Sequence, residues 1–280
     1  MSCEFLLGQR HQHFPGKVLL LLIPFMFGIC SSYSAHAETV EIRAAHCMPY
    51  IGEHLEFDVN WEFINAGSAS MDVLPKSGGW QVNTVAKTNK ALDIFRKVRD
   101  YITAEGLCVN GRMQSTLFDA NLHERKYVAK KRTEFLWQEN RVRHSQNKVV
   151  EDFDVPAGHL SVIDAFFAVR NLKLIPGQKL KVPVFDSRKR YEIEVTVLPE
   201  REVLTAPWGK KVECIVVRPL LKSEGIFTNK GEMTLWLSND ERHIPIKVAA
   251  KIKFGSIFAH LTSYQYTAPT KSSTIRENSK

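Results

Sequence analysis

The chain carries only 5 cysteines in 280 residues, and none is spaced as Cys-x-x-Cys or set at a zinc-binding interval from histidine. Zinc sites draw their ligands from such spacings, so no metal and no cofactor is implied. No apolar run reaches the roughly 20 residues that a permanent membrane helix needs. Basic residues are not gathered either. Lys and Arg number 38 against 30 Asp and Glu, a formal charge of +8 with a pI near 9.2, yet they are spread through the sequence. With no basic stripe and no recognisable binding fold, nucleic acid is set aside. No catalytic constellation stands out. Regular strand–helix alternation is missing too, which excludes doubly wound α/β folds. What remains is an ordinary globular composition, 44% hydrophobic and 24% charged, whose positive balance suits lipid headgroups, lipopolysaccharide phosphates or acidic glycans.

The N-terminus has the order of a secretory signal. Arg10, His11, His13 and Lys17 lead weakly basic into the apolar run Val18 to Ile29, followed by small and polar residues ending in Ala35-His36-Ala37. Such a pattern predicts cleavage between Ala37 and Glu38 and delivery to the periplasm. Pro24 weakens the run as a stable anchor, although an uncleaved anchor stays open. Lipidation at Cys30 is the third alternative, opposed by the large Ile29 before it. Cleavage removes Glu4, Arg10 and Lys17, so the charge becomes +8 − 1 = +7.

Cys47, Cys108 and Cys214 would then remain, enough for one disulfide at most. Cys47–Cys108 is the pair to test first, with three free thiols equally open. Cys214 lies between Val212 and Val216 at strand spacing, which reads as a buried, inert, small apolar residue.

Residues 38–268 read as one β domain and 269–280 (PTKSSTIRENSK) as a polar, disordered tail. Leu55, Phe57, Val59 and Trp61 alternate with His54, Glu56, Asp58 and Asn60, the period of a half-buried strand. Ala66-Gly67 is expected to break the chain before a second strand, Ser68 to Leu74. Ser77-Gly78-Gly79 then turns into a third, Trp80 to Thr88. Extended segments follow at 101–107, 114–122, 126–137, 141–146, 149–155, 180–185, 191–198, 211–217, 232–238, 244–253 and 257–266. Two stretches have helical spacing: Leu92, Phe95 and Val98, and the run 161–170 with Ser161 as N-cap. The second carries too many apolar residues for one stripe, so it should be well buried. A long meander must hide its edges, and curling is the cheapest way. The expected fold is mainly β: a large antiparallel β-meander, curled or barrel-like, with one or two short helices as plug or cap. Two packed β halves divided near Pro156 to Leu160 is the alternative.

Several blocks resemble the bacterial exported proteins of the domain of unknown function 3108 family. GEHLEFDVNWEFINAGSASMDV (52–73) is similar to that family's opening. LIPGQKLKVPVFDSRKRYEIEV (174–195), ECIVVRPLLKSEGIF (213–227), GEMTLWLSNDERHIPIKV (231–248) and KFGSIFAHLTSYQ (253–265) look like its later blocks. The likeness covers nearly the whole mature chain. It implies an envelope protein with a single barrel-like β-meander, similar to an exported lipoprotein group encoded with capsule and exopolysaccharide genes. It implies no activity. The region from Cys108 to Arg112 departs from the family's acidic turn, so any role of Cys108 falls outside what members share.

Few residues offer chemistry. In ERKYVAKKR (124–132), Arg125, Tyr127 and Lys131 share one face of a strand and could hold phosphates or a glycan carboxylate; an exposed, aggregation-resistant edge strand is the plainer explanation. Asp186, Arg188 and Arg190 sit in the VFDSRKRY turn, where Asp is also simply a good turn residue. Asp186 and Arg190 complete the ligand-binding candidates. His159 and Asp164 near the helix start read as capping groups rather than an acid–base pair. Asn239 to Arg242 reads as a hairpin loop whose carboxylates could take a cation. Trp61, Trp80, Trp137, Trp208 and Trp236 could stack on sugars, although alternating aromatics are usually core. The expectation is a non-enzymatic envelope protein binding a lipid-like or glycan-like ligand. A polysaccharide hydrolase would instead need two carboxylates facing across a cleft, about 5–10 Å apart. An assembly factor or scaffold for surface-polymer export is the third reading.

Overall fold

The structure is a computed structural model that describes residues 46–124, 127–220, 232–252 and 255–269. The leader with Ala37–Glu38, Arg125 and the tail from residue 270 lie outside them. Fourteen strands form one antiparallel sheet. They are β1 (Glu53–Trp61), β2 (Ile64–Lys76), β3 (Gly79–Thr88), β4 (Arg99–Val109), β5 (Arg112–Glu124), β6 (Tyr127–Leu136), β7 (Arg141–Gln146) and β8 (Val149–Asp154), then β9 (Lys179–Asp186), β10 (Lys189–Thr205), β11 (Lys211–Leu220), β12 (Met233–Ser238), β13 (Pro245–Ile252) and β14 (Gly255–Tyr266). Helix α1 (Lys90–Arg96) joins β3 to β4, and α2 (Val162–Arg170) lies between β8 and β9.

Sequence neighbours pair at every step except β8 to β9, as short turns between alternating strands favour. The ladder runs from β8 back to β1, crosses to β14, then runs back to β9. First and last strands therefore meet in its middle, Val59 opposite Ala259. The edges, β8 and β9, are consecutive in the chain yet share no ladder.

They overlap instead of pairing. Val182 and Val184 of β9 pack with Val195, Val217 and Leu237, while Phe185, on the opposite face, packs with Phe135 and Val142 and against Phe153. The inward side of β6–β8 thus covers the outward side of β9. Ion pairing of Arg188 with Glu151 (2.5 Å) and donation from Arg190 Nη1 to the Asp154 carbonyl (2.9 Å) tie the overlap together. The β9 edge is also capped locally: Leu160 N donates to the Pro183 carbonyl and Phe185 N to the Leu160 carbonyl, both at 3.0 Å. Pro183, with no N–H to offer, suits such an edge.

Two local expectations change. Ala66-Gly67 does not break the chain; β2 runs through it from Ile64. A Cβ at Gly67 would sit 2.0 Å from the Lys87 carbonyl oxygen, so glycine permits close strand approach there. Nor is β6 an edge strand, because β5 and β7 pair with it on either side.

One end of the curled sheet is locked by buried polar groups. Helix α2 is capped by Ser161 Oγ, which accepts from Asp164 N (3.1 Å). The Asp164 carboxylate accepts from Trp80 Nε1 (2.9 Å), Ser115 Oγ (2.5 Å) and Ser161 Oγ (2.9 Å). Trp80 fits because residue 106 is glycine; a Cβ there would lie 2.3 Å from the indole. At the other end of α2, Arg170 and Glu53 form an ion pair (2.9 Å) with side chains 1% and 0% exposed. Arg170 also lies over the Tyr50 ring, 3.9 Å from its centroid. Cys47 and Cys108 are joined in a disulfide with Cα atoms 5.6 Å apart, closing 61 residues. Loop closure on that scale contributes about 4 kcal/mol in the chain-entropy account.

Candidate binding cavity

Above α2 the curled sheet walls a half-open cavity of about 450 Å³. Its floor is one face of α2, formed by Val162, Ile163, Phe166 and Val169. The apolar surplus of this helix, too wide for a single stripe, is used twice. Phe167 packs with Tyr50 on the locked side while Phe166 faces the cavity. The walls come from both arms of the ladder, with Phe57, Ala69 and Met71 on one side and Val195, Val217 and Leu235 on the other. Pro219 and Met233, which flank residues 221–231, also line it.

Polar groups on this lining are few: Ser70, Thr84, Asp186 and the Tyr191 hydroxyl. Thr84 Oγ1 and Tyr191 Oη are buried without a hydrogen-bond partner. Burial raises the Tyr191 pKa above its ordinary 10.0, and the nearby Asp186 charge adds to the shift. This phenol therefore stays protonated, free to donate to a ligand.

Asp186 thus lines the cavity, and two other candidates gather near it. Ser187 Oγ donates to Asp186 Oδ1 (3.0 Å) and Lys131 Nζ to Ser187 Oγ (3.5 Å). Arg190 anchors the overlap by its bond to Asp154. Tyr127, exposed at the start of β6, is not part of this cluster. Lys131 instead shares its inward face with Thr133 and Phe135, so the basic strand face is split between solvent and seam.

His144 joins the seam and is the residue that reading the sequence missed. It is buried on β7, with Nδ1 and Thr133 Oγ1 2.8 Å apart and Nε2 unpartnered. Its pKa lies below the ordinary 6.5 through burial and then through Lys131. A signal existed: His144 has the parity of Val142, an apolar inward position. The turn itself is unusual, since Ser187 and Arg188 hold positive φ (47° and 71°), a geometry that favours Asn-Gly.

The remaining candidates separate. His159 Nδ1 donates to the Pro156 carbonyl (2.9 Å) and is half-buried, while Asp164 is buried in the helix cap. Asp240 accepts from Ser238 Oγ and from the backbone N–H of Arg242 and His243, a closed turn. Among the described residues no group of three or more His, Cys, Asp or Glu is placed to hold a metal. Trp80 is core, Trp236 nearly so, and Trp61 and Trp208 are partly exposed. Cys214 is a buried free thiol whose pKa burial pushes up to about 11.

A model of the family described as "Protein of unknown function (DUF3108)" matches residues 56–262. The chain belongs to this family. As a DUF3108 member it also resembles a solved structure, the β-barrel-like protein of domain of unknown function DUF1849 from Brucella abortus. The likeness has a TM-score of 0.51 at 11% identity, over 78% of this chain and 98% of that one. At such identity it shows the fold alone. No curated protein matches the chain. The family match starts after Cys47 and Glu53, so the disulfide and the buried ion pair each join one residue outside it to one inside it, Cys108 and Arg170. No described helix is long and apolar enough to cross a membrane.

Proposed function

We propose that this DUF3108 protein is a non-enzymatic, exported protein of the periplasm that holds the apolar part of a lipid-like ligand inside its curled sheet. The observation that carries the reading is the cavity itself, within the ~300–1,000 Å³ range of small-ligand sites and lined almost wholly by aliphatic and aromatic carbon. A glycan demands many hydrogen-bond partners, because its hydroxyls lose water on entry. This lining offers four polar side chains, and so favours an acyl chain. Tyr191 Oη and Thr84 Oγ1 are the unpartnered polar atoms of the lining, available to a ligand's polar end. The signal-like N-terminus supports export. A carboxylate-pair hydrolase gains no support, because Asp186 is the single carboxylate of the described lining.

The test is native mass spectrometry of the protein purified from its own envelope fraction. A retained lipid mass, released by organic solvent, is the expected result. Ala69→Phe, which fills the cavity from a small wall position, should abolish that adduct while the circular-dichroism spectrum stays β. An envelope-purified protein with no adduct, or an adduct untouched by Ala69→Phe, defeats the reading.

A further inference from the structure

We propose that the rim opposite α2 is a docking surface for an anionic lipid bilayer. The topology places it. Glu53 at the start of β1 contacts Arg170 of α2, so β1 ends at the far rim. Each neighbour runs antiparallel, and the connections after β1, β3, β5 and β7 all return to that rim, side by side. Two of these carry bare apolar side chains at their tips: Phe63 is 100% exposed and Ile94, on α1, is 83% exposed. Val128 (52%) and Val150 (60%), beside the other two turns, continue the arc. Turn tips have no folding reason to present such residues to water, and large exposed apolar side chains recurring along one rim mark a contact surface.

Charge says what the contact is. Four exposed lysines border these tips: Lys90 and Lys97 on the β3–β4 connection, Lys148 in the β7–β8 turn, and Lys130 of β6, whose backbone is hydrogen-bonded to Asn147 in that turn. The acids among them are partly engaged: Asp93 is paired with Arg99 (2.6 Å) and Glu62 accepts from Ser256 N. Apolar tips among lysines match the two demands of an anionic membrane surface. Carbon enters the acyl boundary, and ammonium groups stay at the phosphates. A protein groove would instead call for a flat, lysine-poor core. This surface is independent of the cavity reading, because it rests on different residues.

The test places an environment-sensitive fluorophore at Phe63→Cys or, at the locked end, Ile175→Cys, each in the protein as the cell produces it; buried Cys214 does not compete for label. On phosphatidylglycerol vesicles, emission should rise severalfold at position 63 and stay flat at 175. Phosphatidylcholine vesicles, or about 1 M salt where the screening length is about 3 Å, should weaken binding at least tenfold. So should replacing the four lysines by Gln. A label at 63 that stays aqueous while vesicles bind, equal changes at both positions, or no vesicle binding at all overturns the proposal. Ala69→Phe is expected to leave vesicle binding intact, so this surface and the cavity fail separately.

Discussion

The two ends of the curled sheet solve opposite problems. At the α2 end, charge and polarity are buried: Glu53 meets Arg170, and Asp164 is held by a tryptophan and two serines, with a disulfide beside them. At the other end apolar groups are bare, with Phe63 and Ile94 standing in solvent. A buried polar network tolerates no loose partner, because each unmatched group carries its full desolvation penalty. It therefore fixes one geometry. Exposed tips carry no such constraint and leave that end free to meet something else. The difference teaches where stability and where contact reside in this protein: the locked end sets the floor of the cavity, and the rim faces outward.

That contrast can be broken most severely at the ion pair. Arg170→Ala takes from the buried Glu53 carboxylate its nearest cation, leaving Arg242 at 3.5 Å and the Tyr264 hydroxyl at 3.0 Å, and is expected to lower the unfolding free energy by about 3 kcal/mol. Urea denaturation measures it, and a loss under ~1 kcal/mol would mean that the locked end is not what holds the fold.

A second break is by pH. Burial lifts the Asp164 pKa from its ordinary 3.8 to about 6, although its three hydrogen bonds pull the other way. The folded state thus binds this proton more tightly than the unfolded chain does. Stability from this group is highest below pH ~4 and is lost as pH rises towards 6, by about 3 kcal/mol at ~1.4 kcal/mol per pKa unit. His144 acts with the opposite sign: its lowered pKa keeps the folded ring neutral, so its contribution falls as pH drops below 6.5. Stability measured from pH 4 to 8 should lose the first slope in Asp164→Asn and the second in His144→Gln. A variant that retains the slope assigned to its residue refutes that assignment.

The smallest effect is expected at the rim. Phe63→Asp and Ile94→Asp should each change the unfolding free energy by no more than about 0.5 kcal/mol, the range of surface substitutions. Thermal melts that drop by many degrees would show that these tips are packed after all, and the contrast between the ends would vanish.

Much of the fold could be read locally. The alternation of Leu55 and Phe57 with Glu56 and Asp58 is a strand whatever surrounds it, and the same period marks the other strands within a few residues of their observed bounds, except β10, which runs past the expected end at Leu198 to Thr205. Ser161 before an apolar run announces α2, whose side-chain cap is in place. Strand boundaries slipped where a glycine serves packing rather than a turn, as at Gly67. The site was less accessible. Asp186 was visible as a turn acid, but nothing local says that it lines a cavity. Glu53 and His144 did leave a trace, each a polar residue at an apolar parity position beside Leu55 or Val142.

By itself the sequence determined which segments extend, which coil and which face of each is apolar, because those depend on spacing along the backbone. The tertiary structure alone decided what covers each face. It paired β1 with β14, laid β6–β8 over Phe185, brought Glu53 to Arg170 across 117 residues and left a cavity above α2. Such contacts depend on how far a twisted sheet curls before its edges meet. That is a property of all the strands together, and it is written in no single stretch of chain.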